Sequence, residues 1–548
     1  MNRIKMLPFK TQNVTAYSAA LAAIFKKSSK LNTKLIMKKT KIYLLILFIQ
    51  SICFSQAPTI EWQKTLGGSN DDRGWDIIQT SDGGYVATGF AESNDGNLTE
   101  NQGLYDIWVV KLNSTGSIQW QKTFGGTDNE QASEILQTLD GGYILSGWTA
   151  SNDGNISTNY GGSDYWIIKL DSFGNLEWEK NFGGTSADFG VSIKQTSEGG
   201  FIIGGGTQSN DIDLSGSPRF WPDFWIVKIN STGTIEWQKT LGGTFVDYFF
   251  DIEQSNDGGY IIGGRVASDD GDVSINQGGF DSWVVKINST GTIQWQKTFG
   301  GTSNDYLFDI QKTLDGGFIT VGYTESNNGD VSMNQGNGDC WIVKFSETGT
   351  IEWEKTLGGT GRDEANMISQ TNDGNYIFIG FTNSIDGDIT FNNGGYDFWV
   401  VKINETGNIL WQKTMGGSGE DYGYSIQQAS DGGFITLGYT NSTSGDITEN
   451  NGLNDFWIVK LEEEALTINT VNKDNLQIYP NPATSMLNII SANEIAFDEL
   501  IITDMTGKII LEQKVQNSKI NIEKLTSGVY ILQLKSGDKI HWAKFIKH

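Results

Sequence analysis

The groups able to do chemistry in this 548-residue chain are overwhelmingly carboxylates: 65 Asp and Glu stand beside 39 Lys and Arg, two His and two Cys. Two carboxylates suffice for glycoside hydrolysis, one as acid and the other as base or nucleophile. Cleavage of carbohydrate is therefore the hydrolytic chemistry this composition keeps open. Other routes close. His541 and His548 both lie at the C-terminal end, so no Ser–His or Cys–His pair can form in the body of the chain. Cys53 falls in an apolar leader, and Cys340 sits beside a recurring tryptophan, Trp341, as a small packing residue. No Cys/His cluster has metal-ligand spacing, and no glycine-rich loop is built to cradle phosphate.

The carboxylates recur in register. One set precedes a tryptophan by two residues: Asp106, Asp164, Asp223, Asp281, Asp339, Asp397 and Asp455. A second set is Asp72, Glu130, Asp188, Asp247, Asp305, Asp363 and Asp421, and a third lies in loops such as SNDGNLTEN and SDDGDVSIN. Repetition counts against catalysis, because nothing singles out a working pair. Of the loop acids, Asp269, Asp270 and Asp272 could hold calcium through hard oxygen ligands, though they lack the full spacing and closing Glu of an EF-hand. One loop departs from its siblings. Ser209–Asp223 reads SNDIDLSGSPRFWPD, with Ile212 in place of the turn glycine and Ser217 in place of an asparagine. Its Arg219, Phe220 and Trp221, stiffened by Pro218 and Pro222, form the kind of cluster used for sugar stacking or a protein hot spot. Drift of a surface loop is the competing account.

The elements that carry these residues repeat. Trp62, Trp120, Trp178, Trp237, Trp295, Trp353 and Trp411 are spaced 58, 58, 59, 58, 58 and 58 residues apart, and a partner series runs from Trp108 to Trp457. Together these series take 14 of the 18 tryptophans, so the period is structural. Asp106–Gly126 reads as a β-hairpin with a three-residue loop, Ser114-Thr115-Gly116, with the glycine left-handed. That loop sets Leu112 opposite Ile118 and Val110 opposite Trp120, aligning the apolar stripes. Lys122 then lies opposite Trp108 and diagonal to Asp106, which predicts a salt bridge over an indole. A second hairpin, Asp76–Glu92, completes a unit of four strands: IEWQKT, DIIQT, YVATGF and DIWVVKL. The third of these has glycine at its fifth residue in every unit, Gly89 to Gly438, which signals close approach of a neighbouring group.

Seven such units predict an all-β, seven-bladed β-propeller. One copy of the hairpin is split between the ends of the repeat region, as IEWQKTLGG at Ile60–Gly68 and DFWIVKL at Asp455–Leu461. Pairing these halves closes the ring, with Ile60 facing Leu461, Trp62 facing Val459 and Lys64 facing Trp457, and removes both open edges. The tight turns then share one face, and the longer, acid-rich loops share the other, where a localised function is expected.

Charge is uneven. Residues 1–55 hold ten basic and no acidic groups, whereas residues 56–475 hold 21 basic and 58 acidic groups, a net charge of −37. A nucleic-acid partner is excluded, because phosphate binding needs a basic footprint. Residues 37–55 read as a secretory signal peptide with Lys38, Lys39 and Lys41 before an apolar run, and residues 1–36 as an over-long gene start. No later stretch is long and apolar enough to span a bilayer.

The repeat D-x-W-V-V-K-L-x-x-x-G-x-I-x-W-x-K-x-x-G-G, with D-G-G-Y and Gly322-Tyr323-Thr324, resembles the bacterial seven-bladed propeller repeat called SBBP, akin to delta-60 repeats, over residues 58–461. That resemblance implies a fold and no shared catalytic residues. Asn-Ser-Thr-Gly-x-x-x-Trp is also similar to the tryptophan-docking motif of quinoproteins, but no cofactor pocket of theirs is evident. After a link at 462–475, alternating strands over 476–548 suggest a small immunoglobulin-like β-sandwich. Tyr479-Pro480-Asn481-Pro482-Ala483, the Gly507-Lys508 turn, Gly528-Val529-Tyr530 and the closing Lys544-Phe545-Ile546-Lys547 resemble a type IX secretion C-terminal sorting domain of type A. The resemblance implies export across a Bacteroidota-type outer membrane and contact with that secretion machinery.

The expectation is a secreted or surface-attached, monomeric binding or adhesion propeller at residues 56–461 that needs no cofactor. Its extracellular glycan or protein ligand is unidentified. The alternative is a carboxylate-dependent hydrolase of carbohydrate at the acidic loop face.

Overall fold

The computed structural model describes residues 57–98, 100–214, 221–464, 476–479, 483–491, 497–504, 508–514, 519–536 and 539–547. The leader, the segment before it and most of the link at 462–475 lie outside the described residues. The chain divides into two compact units between Glu463 and Glu464. All regular structure described is β-strand, and among the described residues no helix is long and apolar enough to cross a membrane.

The first unit holds seven four-stranded antiparallel sheets among its described residues. Six of them take their strands in chain order, as in Asp72–Gln79, Tyr85–Ala91, Asp106–Leu112 and Ile118–Phe124. The second and third strands are buried at every one of these positions, because both of their faces pack against neighbouring sheets. The cores accordingly lie between sheets: Ile77, Tyr85, Trp108 and Val110 of the first sheet pack with Leu437, Phe456 and Ile458 of the seventh. First strands follow one another around a common axis, and the series closes where the Ile77 amide donates to Ser425 Oγ at 3.2 Å.

The closing strand comes from the other end of the repeat region. Ile60–Leu66 pairs antiparallel with Asp455–Leu461 and completes the seventh sheet, as expected. Its register differs from expectation. Ile60 faces Leu461, but Trp62 faces Lys460 and Lys64 faces Ile458. The internal hairpins show the same shift. Leu112 does face Ile118 and Gly116 is left-handed (φ 77°), yet Lys111, not Val110, faces Trp120, and Val110 faces Gln121. Gln119 is the extra residue of a β-bulge.

A buried ammonium explains the shift. Lys111 is 3% exposed, and its Nζ donates to Asp82 Oδ2 at 2.9 Å, the Leu112 carbonyl at 3.1 Å and Gln119 Oε1 at 3.0 Å. In other units the bulge residue is a glutamate paired with the same lysine, as in Lys169–Glu177 (2.9 Å) and Lys228–Glu236 (2.8 Å). Leaving such a charge unpaired costs about 3–5 kcal/mol, more than the matching of two apolar stripes returns. The predicted salt bridge between the fourth-strand lysine and the third-strand aspartate does not form, since Lys122 faces Val109. The ion pair belongs to the third-strand lysine and the turn aspartate, as in Lys111–Asp82 (2.9 Å), Lys286–Asp257 (2.8 Å) and Lys402–Asp373 (2.7 Å).

The second unit has two sheets. Three strands, Leu476–Tyr479, Met486–Ser491 and Lys519–Asn521, form one. Ile509–Lys514, Glu499–Asp504, Gly528–Ser536 and Lys539–Lys547 form the other. They share a core that includes Leu487, Leu500, Ile520, Tyr530, Leu532 and Phe545.

Candidate functional site: an aromatic funnel on the axis

The site begins with a glycine. A β-carbon on Gly89 would stand 1.9 Å from the Arg73 carbonyl oxygen, so only glycine lets the first strand approach the second here. The close approach accompanies a break in register: Gly74 pairs with Gly89 and Asp76 with Thr88, leaving Trp75 unpaired as a bulge. The break recurs in all seven sheets and leaves Trp75, Ser133, Val191, Phe250, Phe308, Asn366 and Tyr424 unpaired in turn. A bulge re-aims its side chain, and all seven line one axial cavity of about 740 Å³. Tyr396, from the loop before a third strand, also lines it, which places the cavity at the end of the axis that carries the longer loops.

The next residue along each first strand pins the bulge to the following sheet. Asp76 Oδ2 accepts the Ile135 amide at 3.0 Å, Glu134 Oε2 that of Ile193 at 2.7 Å, and Asp309 Oδ2 that of Ile368 at 2.7 Å. Lys194 lies in this belt, paired with Glu134 and 3.4 Å from Asp251. Burial pushes Glu134 and Glu253 up to about 7 against the pull of that lysine.

Around the axis the bulge residues alternate in size. Trp75 and Tyr424 are in edge contact (4.5 Å between ring centres, 77°), and Phe250 and Phe308 make a similar pair on the opposite side (5.1 Å, 75°). Ser133 and Val191 lie between these pairs at one end and Asn366 at the other, so the cavity is a slot with aromatic walls and small or polar ends. Trp148, Phe189, Phe381, Tyr422 and Tyr439 extend the walls. Three arginines stand among the rings. Arg73 is over Tyr439 (4.8 Å) and pairs with Asp71 at 2.8 Å, and Arg362 is over Tyr323 (4.8 Å) and pairs with Glu364. Arg265 lies 4.4 Å from the Tyr306 ring centre and 4.7 Å from that of Tyr248, and burial lowers its pKa. Among the described lining residues Glu364 is the one carboxylate, held above its usual range by burial, with Arg362 opposing. Burial also raises Tyr422, Tyr424 and Tyr439, so these phenols stay protonated at neutral pH. Such a slot can stack on flat or apolar ligand faces and hydrogen-bond at its ends.

The acids expected to mark the loop face behave differently. Asp72, Glu130, Asp188, Asp247, Asp305, Asp363 and Asp421 are fully buried. Asp72 accepts the Gly68 amide at 2.8 Å and the Ser93 hydroxyl at 2.6 Å, and its counterparts repeat this loop-bracing role. None lines the funnel, because a buried carboxylate left without donors would be costly. The Asp269, Asp270 and Asp272 set is not drawn together. Asp269 is exposed, Asp270 Oδ1 accepts the Thr244 amide at 2.8 Å, and Asp272 Oδ2 accepts that of Gly242 at 3.3 Å. No group of three His, Cys, Asp or Glu among the described residues is placed to hold a metal. Arg219 and Phe220 lie outside the described residues; Trp221 is 52% exposed. Cys340 is buried and free.

Of the sorting-motif residues, Pro480, Asn481 and Pro482 lie outside the described residues. Tyr479 is half-exposed, and Gly528 pairs with Lys547. The Tyr530 ring stacks on Phe545, its hydroxyl donating to the Thr526 carbonyl at 2.9 Å, while Lys544 faces outward and Lys547 is buried.

The funnel was missed in the sequence, although a signal existed. In aligned units the bulge column reads Trp, Ser, Val, Phe, Phe, Asn and Tyr, while two residues later every unit has isoleucine, Ile77 to Ile426.

Residues 477–548 match the family model described as a secretion system C-terminal sorting domain. The chain is 23% identical over 391 residues, 62% of its length and 41% of the other's, to the regulatory protein FlaEY of Caulobacter vibrioides. It is 25% identical over 219 residues, 38% of its length and 37% of the other's, to the ulvan lyase NLR42 of Nonlabens ulvanivorans. It thus spans about two-fifths of these curated relatives. The solved structure of PorZ, a surface component of the type-IX secretion system of Porphyromonas gingivalis, aligns over 88% of this chain and 60% of that one, with a TM-score of 0.38 and 12% identity. The tail is a secretion-system sorting domain, and the protein is exported by type IX secretion to the cell surface or beyond it.

Proposed function

We propose that this protein is a surface-exposed or secreted seven-bladed β-propeller of the SBBP type that binds an extracellular ligand in its axial funnel without catalysis, and that its tail is an immunoglobulin-like sorting sandwich removed or used for attachment after export. One observation carries the reading. The units keep their tryptophans, loop-bracing acids and strand glycines, whereas the bulge positions that converge on one cavity differ from unit to unit. Positions that only support a fold keep their residue types under such repetition, whereas a site for one asymmetric ligand needs seven different contributions. The variant loop with Arg219, Phe220 and Trp221 is a second candidate contact.

Carbohydrate cleavage has one observation in its favour, the partial similarity to an ulvan lyase. A two-carboxylate mechanism needs paired acids in the cleft, and the funnel offers Glu364, already bound to Arg362.

The test is an array of glycans and extracellular proteins probed with residues 56–548. Combining Trp75→Ala with Phe308→Ala should weaken the captured ligand at least about tenfold, since each removes an aromatic wall. Undiminished capture by that double variant removes the funnel from consideration, and loss of capture on Arg219→Ala with Trp221→Ala alone would move the site to the variant loop.

A further inference from the structure

We propose that Arg265, at the edge of the funnel, is a subsite for an oxyanion carried on a sugar ring, either a carboxylate or a sulfate ester. This rests on the funnel being the ligand site. Arg265 occupies the position held by Trp148, Phe381 and Tyr439 in other sheets; those three line the cavity, and Arg265 adjoins it through Phe250, which also lines it. Its guanidinium is enclosed by rings, at 4.4 Å from Tyr306, 4.7 Å from Tyr248, 5.0 Å from Phe280 and 5.4 Å from Phe250.

Aromatic faces attract the flat faces of this cation, but they do not accept its in-plane N–H groups. A guanidinium has five such donors, and the buried Nε of Arg265 has no partner. The other two arginines among these rings are already neutralised, Arg73 by Asp71 and Arg362 by Glu364. Arg265 makes no ion pair of its own among the described residues, the acid whose field reaches it being Glu364, already paired with Arg362, although residues 56–475 carry a net charge of −37. A planar donor fork of this kind matches a carboxylate or sulfate through two parallel hydrogen bonds. The acidic field of the whole unit disfavours anions in general, so selection of one must be local.

The rest of the slot favours a sugar over an acidic peptide. A pyranose presents an apolar face and a rim of hydroxyls, which suit the paired aromatic walls and the Ser133 and Asn366 ends. The cavity, about 740 Å³, takes a short oligosaccharide.

Isothermal titration calorimetry on residues 56–548, in salt of about 150 mM where charges act over about 8 Å, distinguishes the sources. The probes are a hyaluronan tetrasaccharide (carboxylate), a carrageenan tetrasaccharide (sulfate), cellotetraose (neutral) and tetraglutamate. One charged sugar should bind about tenfold or more tighter than cellotetraose, the range of a charge-assisted hydrogen-bond pair. Arg265→Gln should erase that preference, with an unchanged unfolding midpoint and unchanged cellotetraose binding. Arg265→Lys, which keeps the charge and loses the fork, should retain part of it and serves if the Gln variant does not fold. The inference is overturned by equal binding of charged and neutral sugars, by a preference that survives both substitutions, by tetraglutamate binding as tightly as the sugars, or by no binding of either charged sugar. None of these outcomes touches the funnel itself, which stands or falls on the Trp75/Phe308 double variant.

Discussion

The carbonyl oxygen of Arg73 lies 1.9 Å from where a β-carbon on Gly89 would stand, and this contact between two strands accompanies the bulge that aims Trp75 at the axis. Gly89→Ala must therefore push backbone against backbone. Overpacking of this kind costs about 1–3 kcal/mol. A lowered urea midpoint with an unchanged slope is expected, together with altered Trp75 fluorescence; an unchanged midpoint would show that the close approach is not obligatory.

Ile212 is the one described non-glycine residue with a left-handed backbone (φ 58°), at a position filled by glycine in six sheets (φ 65° to 71°). Its strain is visible next door, where the Asp213 amide reaches the Gly183 carbonyl at 3.3 Å against 2.8–3.0 Å for the equivalent bonds. A left-handed β-branched residue costs about 1–2 kcal/mol, so Ile212→Gly should raise stability by about 1 kcal/mol even after the added chain entropy. A fall in melting temperature would refute this.

Stability should peak on the acid side of neutrality. Burial, with a facing carboxylate adding to it, raises Asp164, Asp281 and Asp397 to about 7 and Asp106, Asp339 and Asp455 to about 6. Each of these six has a buried Oδ1 without a partner. Groups raised in the fold contribute stability that is complete below their unfolded values and is lost as pH rises through 6 to 7. Asp82 and Asp140 work the other way. Despite some burial, their turn hydroxyl, turn amide and lysine hold them at about 2, so their contribution is lost as pH falls below about 4. Calorimetry should give a higher melting temperature at pH of about 5.5 than at about 8. Asp281→Asn should raise the value at the higher pH and flatten the difference, because a neutral amide can donate toward Asp305. Equal melting temperatures at both pH values would contradict the assignment.

The closing strand should hold the ring together. Without Ile60–Leu66, Asp455–Leu461 becomes an open edge, and Trp457 Nε1 loses its bond to Gln63 Oε1 at 2.8 Å. Deleting residues 57–66 should lower the denaturant slope as well as the midpoint, since unfolding would no longer be a single cooperative step. An unchanged slope would mean that the other six sheets suffice.

Much of the fold was legible because it is local and repeated. The hairpin loop with Gly116, the alternating strands, the tryptophan period and the split copy all follow from residue type and spacing within one unit. The sorting tail was legible for the same reason, its motifs being short and contiguous. Register was not legible, because apolar alignment and pairing of a buried lysine pull in opposite directions, and only burial in the finished sheet makes Lys111 win.

The roles of the acids were decided by tertiary structure as well. Asp72 and its six counterparts look like surface loop groups in the sequence, and they become loop braces once neighbouring segments supply amide and hydroxyl donors. The sequence determined that seven units exist and that Gly89 and its equivalents need close approach. Only closure of the ring brought Trp75, Phe250, Phe308 and Tyr424 to one cavity, since residues tens to hundreds of positions apart in the chain share no local signal. It also left Arg265 between rings, with no ion pair of its own among the described residues, because the acid whose field reaches it, Glu364, is held by Arg362.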